Sequence, residues 1–269
     1  MTEQLPPFSR SLHHWFMVYV RWYLRRHFHA LRVLRGEGAI PTHPELGASP
    51  VIIYTNHPGW WDPLMFFTVA QELYPNRLNY GPIDAGALGK YKFLERIGFV
   101  GIEAGTRRGA ATFLRTARAA SRRSDVIFWI TAQGAFTDPR QRPLEIRPGV
   151  GHAMAGMTQG LIVPLAIEYP FWNERLPEAL VAFGEAIDAA AAPAQSAAAW
   201  NSLLAARLEA TQDRLAAAAA QRNRANFQTL LAGKVGVGGI YDLVRRAGAW
   251  RRGERFDASH GGAEEGGEP

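Results

Sequence analysis

The residues best suited to chemistry are His57 and Asp62, which lie five positions apart in the segment Tyr-Thr-Asn-His-Pro-Gly-Trp-Trp-Asp-Pro. In a continuous helix this offset would not align the two side chains, but across a turn that leads into a helix the carboxylate can reach back to the imidazole. An aspartate on one ring nitrogen fixes the tautomer and stabilises the imidazolium, so the other nitrogen becomes a base for a hydroxyl or a water. On spacing alone, a structural role for such a pair is the more common one.

Short apolar runs alternate with helical patterns from residue 50 onward, and this alternation predicts an α/β fold with a mixed, mostly parallel sheet covered by helices. His57 would follow the first strand of this sheet, at the carboxyl end where α/β sheets place ligands. The predicted strands are 51–54, 78–83, 99–102, 126–130, 161–167 and 180–183, and the predicted helices are 63–73, 85–97, 109–121 and 149–157.

Two further helices are predicted outside this alternation. Residues 189–225 are rich in alanine, the best helix former, and read as one long C-terminal helix. Residues 10–35 read as an amphipathic helix with an arginine stripe opposite an aromatic and aliphatic stripe. This pattern is typical of a helix in a membrane interface and also of a helix docked on its own domain, and the two are compatible. The arginines expected to meet a membrane surface are Arg10, Arg21, Arg25, Arg32 and Arg35.

The composition indicates a basic protein that cannot use cysteine chemistry. The chain has 269 residues, 30 Lys+Arg against 24 Asp+Glu, and a net charge of +6, and 27 of the cations are arginine. Because cysteine is absent, disulfides, thiolate metal sites and cysteine nucleophiles are excluded. The longest charge-free stretch near a terminus has ten residues, 11–20, against the roughly 20 that a spanning helix needs. We therefore expect a cytoplasmic protein, peripheral on the inner face of the membrane, with no nucleic-acid partner.

The motif Asn56-His57-x-x-x-x-Asp62 resembles the signature of the glycerolipid acyltransferases, the superfamily of lysophosphatidate, lysophospholipid and glycerol-3-phosphate acyltransferases. Three further segments resemble later blocks of that family in the right order. Residues 100–109 match the second block, residues 128–137 the third, and residues 162–167, an apolar strand with Val-Pro, the fourth. The resemblance covers residues ~50–185. Together with the composition of the two ends, it predicts a membrane-associating helix (1–40), an acyltransferase domain (41–232) and a flexible basic segment with an acidic tail (233–269).

The resemblance implies transfer of an acyl group from a thioester, acyl-CoA or acyl-carrier protein, to a lipid hydroxyl. His57 would deprotonate the hydroxyl and Asp62 would orient the imidazole, and neither a metal nor a further cofactor is implied. Backbone N–H groups near Gly59 or Gly134 are candidates for stabilising the oxyanion. The residues expected to contact substrate are Asn56, Gly59, Trp60, Gln133, Gly134, Phe136, Arg107, Arg108 and Arg147.

Three positions depart from the family pattern. Ala104 and Phe136 stand where the family has the arginines associated with the acceptor phosphate, and Gln133 stands where it has glutamate. A neutral or glycosylated lipid acceptor is therefore the first hypothesis. Two alternatives remain open. One is a lysophosphatidate or lysophospholipid acyltransferase whose phosphate contacts come from shifted arginines, and the other is a non-catalytic lipid-binding relative. The candidate shifted arginines are Arg107, Arg108, Arg140, Arg142 and Arg147.

Overall fold

The computed structural model describes residues 4–36, 49–192 and 195–234. The α-helices are Arg10–His27 (α1), Asp62–Leu73 (α2), Ala85–Lys90 (α3), Arg107–Ala120 (α4), Pro148–Ala155 (α5) and Ala197–Ala220 (α6), with 3-10 turns at Lys92–Ile97 and Arg224–Asn226. The strands are Ala30–Leu34 (β1), Val51–Thr55 (β2), Leu78–Asp84 (β3), Phe99–Ile102 (β4), Val126–Thr131 (β5), Leu161–Glu168 (β6), Glu178–Phe183 (β7), Ile187–Asp188 (β8) and Phe227–Ala232 (β9). From residue 235 onward, the predicted basic segment and acidic tail lie outside the described residues.

One sheet runs through the described part of the chain in the order β4-β3-β5-β2-β6-β7-β1-β9, with β8 beside β6. The block from β4 to β6 is parallel, β7 is antiparallel to β6, β1 is parallel to β7, and β9 is antiparallel to β1. The prediction of an α/β fold with a mixed, mostly parallel sheet is therefore confirmed. The chain leaves β2 toward β3 on one side and returns to β6 on the other, so the carboxyl end of β2 is the switch point where open α/β sheets bind ligands.

Helices cover both faces of this sheet. α1 and α2 bury Met17, Leu24, Met65 and Phe66 on one face. On the other face α4, α5 and α6 bury a second set of apolar side chains, among them Ala117, Met154, Trp200 and Leu204. Because β2 and β5 lie between the two layers, their residues are almost all buried, which explains their continuous apolar sequence.

The predicted helix over residues 10–35 is right as far as His27 and wrong beyond it. Phe28 leaves the helix in extended conformation, and residues 30–34 form β1, which pairs with both β7 and β9 inside the sheet. Arg32 is therefore not on a helix surface. It is only 7% exposed, and its Nε donates to the buried carboxylate of Glu178 at 3.0 Å, so it cannot meet a lipid surface.

The packed face of α1 differs from the predicted one. The buried stripe is centred on Met17, Val20 and Leu24, whereas Trp15 and Tyr19, which belong to the predicted aromatic and aliphatic stripe, are 69% and 53% exposed. Trp22 is also exposed, and Arg26 lies over its ring with the guanidinium carbon 4.8 Å from the centroid. The solvent face of α1 is therefore aromatic, with Arg10 and Arg25 exposed next to it, whereas Arg21 is partly buried and paired with Glu72 of α2.

The long C-terminal helix is confirmed but is shorter than predicted. It begins at Ala197, where the Ser196 hydroxyl accepts from the N–H of Ala199, and it ends at Ala220. The next residues return to the sheet as β9, a strand that the alanine-rich composition did not indicate. Beyond β9 the N–H of Gly233 donates to the carbonyl of His29 at 2.8 Å, which ties the end of the described chain to β1.

A buried histidine predicts a pH-dependent stability. His13 lies between the rings of Phe8 and Phe67, and burial, reinforced by the charges of His14 and Arg10, lowers its pKa from 6.5 to about 4. The unfolded chain then binds more protons between pH 6.5 and 4, so this contribution to stability is present above pH 6.5 and is lost as the pH falls through that window.

We expect the His13→Phe variant to lose less stability than the wild type between pH 7 and pH 5. The difference should be on the order of 1 kcal/mol, after allowance for solvent screening of a partly exposed ring. Urea unfolding at the two pH values measures it. An identical pH dependence in the two proteins would contradict the assignment.

Candidate active site

Hydrogen bonds to three residues of other segments hold the loop after β2, and two of these residues bind the backbone of His57 itself. The Asn56 side chain is fully buried and pairs with both backbone groups of Ile167, donating at 2.9 Å and accepting at 2.8 Å. The N–H of His57 donates to Gln133 Oε1 at 3.1 Å, and its carbonyl accepts from the N–H of Thr137 at 2.9 Å. Asn56 and Gln133, both predicted to bind substrate, therefore use their side chains here to hold the histidine loop.

The side chains of His57 and Asp62 are in contact, as the motif predicts. His57 Nδ1 lies 2.6 Å from Asp62 Oδ2, across the turn that leads into α2. Asp62 is completely buried, whereas the side chain of His57 remains 16% exposed. Since a carboxylate only accepts, this contact assigns the proton to Nδ1 and leaves the Nε2 lone pair available. Such an arrangement can act as an oriented base, and it lies at the carboxyl edge of the parallel strands.

Tyr169 is a third member of this network, and it lies outside the motif that contains His57 and Asp62. Its hydroxyl donates to Asp62 Oδ1, and burial, followed by the charge and hydrogen bond of Asp62, raises the pKa of Tyr169 well above its usual value. Asp62 thus accepts from His57, from Tyr169 and from the N–H of Gly59 at 3.1 Å. The only sequence signal was position, because Tyr169 directly follows β6, the strand that lies beside β2.

The loop after β5 forms the second wall of the site. Phe136 places its ring 4.6 Å from that of His57, centroid to centroid, and is 64% exposed. Gly134 has φ +62°, and a Cβ there would come within 3.0 Å of the Arg147 side chain, so a larger residue would be strained in both respects. Arg147 in turn donates to the carbonyl of Gln133 at 3.2 Å. Of the predicted residues on this side of the site, Gln133 and Phe136 therefore contact His57, and Arg147 contacts Gln133.

The two predicted oxyanion donors are already engaged. The N–H of Gly59 donates to the Asp62 carboxylate, and that of Gly134 donates to the carbonyl of Thr131 at 3.1 Å. In this arrangement neither group is available to a substrate oxygen.

Arg107 and Arg108 lie away from this cluster. They begin α4, after β4, and β4 is three strands from β2, about 14 Å at the usual strand spacing. Both side chains are exposed, and the nearest carboxylate to Arg108 is Glu103 at 3.9 Å. Among the three predicted arginines, Arg147 is the one that contacts the loop after β5, through the carbonyl of Gln133.

Aromatic side chains join the site to the N-terminal helix. Trp60 is 55% exposed and stacks on Trp61 at 4.1 Å between centroids, and Trp61 packs against Tyr23 and Phe28. Beside Asp62, an apolar cleft opens between α2 and the sheet. It is lined by Pro63, Phe66, Phe67, Gly81, Pro82, Phe99, Trp129 and Thr131.

The fold has a counterpart among solved structures. It resembles the crystal structure of the 1-acyl-sn-glycerophosphate acyltransferase PlsC from Thermotoga maritima with a TM-score of 0.51, over 77% of this chain and 79% of that chain, at 12% sequence identity. No protein-family model matches the chain, and no curated protein matches its sequence. The described part of the chain therefore has a glycerolipid acyltransferase-like fold.

Proposed function

We propose that the protein transfers a fatty acyl group from a thioester, acyl-CoA or acyl-carrier protein, to a hydroxyl of a lipid acceptor. The observation that carries this proposal is the His57–Asp62 contact, in which a fully buried carboxylate orients an imidazole that stays partly open at the carboxyl edge of the sheet. The similarity of the fold to that of an acyltransferase supports the same reaction class.

In the proposed reaction, Nε2 of His57 takes the proton of the acceptor hydroxyl as its oxygen attacks the thioester carbonyl. The tetrahedral intermediate then collapses, the C–S bond breaks, and the imidazolium returns the proton to the leaving thiolate. Asp62 stabilises the imidazolium between these two steps, and Tyr169 and Gly59 hold the carboxylate in place. Attack is direct, so no acyl group is held covalently on the enzyme.

We propose a neutral rather than a phosphorylated acceptor. Phe136, at the position of a family arginine, lies against His57 and offers an apolar face. Among the shifted candidates, Arg140 is paired with Asp138 at 2.6 Å, and Arg142 with Asp213. A phosphate dianion would have to compete with these carboxylates for the guanidinium groups. Arg147, which contacts the loop after β5 through the carbonyl of Gln133, is the remaining candidate and keeps a lysophosphatidate acceptor as the second hypothesis.

The apolar cleft beside Asp62 is proposed as the entrance for the acyl chain. Phe66 and Trp129 stack in parallel with centroids 5.2 Å apart and form one wall. Gly81 lies beside Trp129 on the neighbouring strand β3, where a Cβ would approach the Trp129 carbonyl within 3.3 Å. This wall suits an alkyl chain, because burying apolar surface between the two is favourable by a free energy of roughly 25 cal/mol per Å².

An assay with purified protein tests the proposal. Release of free thiol from an acyl-CoA is measured with and without lipid acceptors, and the acylated product is identified by mass spectrometry. Acceptor-dependent thiol release is the expected result. Strong transfer to lysophosphatidate with none to neutral acceptors would select the second hypothesis, and lipid binding without turnover would indicate a non-catalytic relative.

The proposed membrane contact is the aromatic face of α1. None of the helices in the described ranges combines the length and the apolar composition needed to cross a bilayer. Trp15 and Trp22 are exposed on this face about two helical turns apart, and Arg10 and Arg25 lie in solvent beside it. Aromatic rings at the interface with flanking cations are typical of helices that lie on anionic membranes.

We expect a Trp15→Ala/Trp22→Ala double variant to bind anionic vesicles at least about ten-fold more weakly than the wild type, because two interfacial rings are lost. Vesicle sedimentation measures the partition. Tyr91→Ala is the matched control, since Tyr91 is 57% exposed but lies outside α1. Equal binding of all three proteins would contradict the placement of the contact on α1.

Tyr169→Phe is expected to lower kcat about ten-fold, because a hydrogen bond to a charged group is lost at the buried carboxylate. KM for the thioester should stay within a factor of two or so. If Tyr169 acts through Asp62, the same substitution should have no further effect in an Asp62→Asn background. Equal losses of kcat in the two backgrounds would show that Tyr169 acts elsewhere.

A further inference from the structure

Phe136 is a large apolar side chain that is exposed to solvent and also contacts the proposed base. Its side chain is 64% exposed, and its ring centroid lies 4.6 Å from that of the His57 imidazole, with an angle of 59° between the two ring planes. A single exposed apolar side chain elsewhere on a surface needs no explanation. This one touches the residue that takes the proton in the proposed reaction, so its exposed ring face is a contact surface for the substrate that approaches His57.

The loop that carries Phe136 is tied to His57 on both sides of the ring. Before Phe136 in the chain, Gln133 Oε1 accepts from the N–H of His57 at 3.1 Å. After it, the N–H of Thr137 donates to the carbonyl of His57 at 2.9 Å. These bonds hold the ring next to the imidazole before any substrate binds. A substrate that packs against the ring therefore has little conformational entropy of the loop to overcome.

The position of the ring favours contact with the acceptor and not with the acyl chain. The proposed entrance for the acyl chain is the apolar cleft between α2 and the sheet, and Phe136 is not one of the residues that line it. A ring that touches His57 from outside this cleft is expected to meet the other reactant. Because His57 must reach the acceptor hydroxyl, the part of the acceptor beside the ring is the group of carbon atoms next to that hydroxyl.

The chemistry of a phenyl ring restricts what can pack there. Its face carries partial negative charge, so it attracts the polarised C–H bonds of carbon atoms that bear oxygen and repels an anion. In a six-membered ring with hydroxyl groups, several C–H bonds point to one side and can cover a phenyl face together. In an open-chain alcohol such as a glycerol unit, the C–H bonds point in different directions and move with bond rotation. The exposed face of Phe136 is therefore best suited to an uncharged ring.

We propose that Phe136 is the specificity-determining residue for the acceptor, and that its exposed face packs against the C–H face of a sugar ring in the headgroup of a neutral lipid. A hydroxyl of that ring then lies beside His57 and is the one that is acylated. This assignment rests on the proposed acyl transfer and deepens it, because it names the acceptor as a glycosylated lipid. It gives Phe136 a contact with substrate and no role in proton transfer.

Two uncharged probes with the same alkyl chain test this contact on the full chain: octyl glucoside, which has a ring, and 1-O-octylglycerol, which has none. Each is used below its micelle concentration, as a ligand in calorimetry and as an acceptor in acyl transfer. We expect the wild type to have the lower Kd and KM for octyl glucoside. Phe136→Leu keeps an apolar side chain but removes the flat face. It should raise both constants for octyl glucoside about three- to ten-fold, the usual contribution of an aromatic contact, and leave those for octylglycerol and the thioester unchanged.

Two further variants serve as controls. Phe136→Tyr keeps the ring and should behave as the wild type does. Phe171→Ala should also leave both constants unchanged, because Phe171 is 62% exposed but lies in the loop after β6 and not in the loop after β5. If Phe136→Leu weakens the binding of both probes equally, the contact is a general apolar one and the assignment of a sugar ring is overturned. Unchanged constants for both probes would remove Phe136 from the acceptor site.

The two readouts also separate this inference from the proposed function. Calorimetry does not require turnover, so a protein that prefers octyl glucoside through Phe136 but transfers no acyl group keeps the contact and loses the reaction. Acyl transfer to octylglycerol that depends on His57, without any binding of octyl glucoside, keeps the reaction and refutes the contact.

Discussion

Replacing His57 by alanine is expected to lower kcat for acyl transfer by about 10²–10⁴-fold, the usual contribution of a positioned general base. The side chain supplies the only imidazole in contact with Asp62 among the described residues. The substitution removes Nε2 but leaves the backbone hydrogen bonds to Gln133 and Thr137 in place, so the loop should keep its conformation. Thiol release and product formation measure the loss.

His152→Ala is the control for this experiment, since His152 is exposed on α5 and makes no contact with the site. It should retain wild-type turnover. Thermal unfolding of both variants establishes that the fold is kept. Turnover of His57→Ala within a factor of three or so of the wild type would exclude His57 as the base.

The Asp62→Asn variant is expected to lose up to the full 10²–10⁴-fold contribution of the base to kcat, because an amide at this position leaves the imidazole in the wrong tautomer. The amide can donate to Nδ1, which would favour the opposite tautomer and place the proton on Nε2. The same group must also accept from Tyr169 and Gly59, and it can no longer satisfy all three donors. A moderate loss of stability should therefore accompany the loss of turnover.

Two measurements distinguish these effects. Urea unfolding reports the loss of stability, and kcat measured well below the unfolding transition reports catalysis alone. Asp125→Asn is the matched control, because Asp125 is an exposed carboxylate that pairs with Arg123 at 2.6 Å. A variant of Asp62 that is less stable but fully active would show that the carboxylate serves the fold and not the base.

The parts of the site that could be predicted are those that are local in sequence. His57 and Asp62 belong to one turn, and an apolar strand precedes them, so spacing and hydropathy were enough to place the pair at the edge of the sheet. Tyr169 reaches the same carboxylate from more than a hundred residues away. No periodicity connects it to Asp62, since the contact exists only because β6 lies beside β2.

Arg32 is a residue for which the local sequence pattern predicted the wrong conformation. In sequence it continues the basic stripe of the first helix, but it lies in a strand and is buried against Glu178. The short segment 30–34 carries no strand signal of its own, because its apolar residues also fit the 3.6-residue period of the preceding helix. Its conformation is decided by β7 and β9, which come much later in the chain.

That pairing of β1 with β7 and β9 has a consequence for biosynthesis. β1 is made early, but its partners begin at Glu178 and Phe227, almost two hundred residues later for β9. At the usual rates of about 5–20 residues per second, β1 waits roughly 10–40 s for its last neighbour. During that interval the nascent chain carries an apolar strand with two open edges, which is the kind of segment that chaperones protect. The parallel half of the sheet, from β2 to β6, can form within the same interval. This half is therefore expected to fold first, and the part with β7, β1 and β9 last.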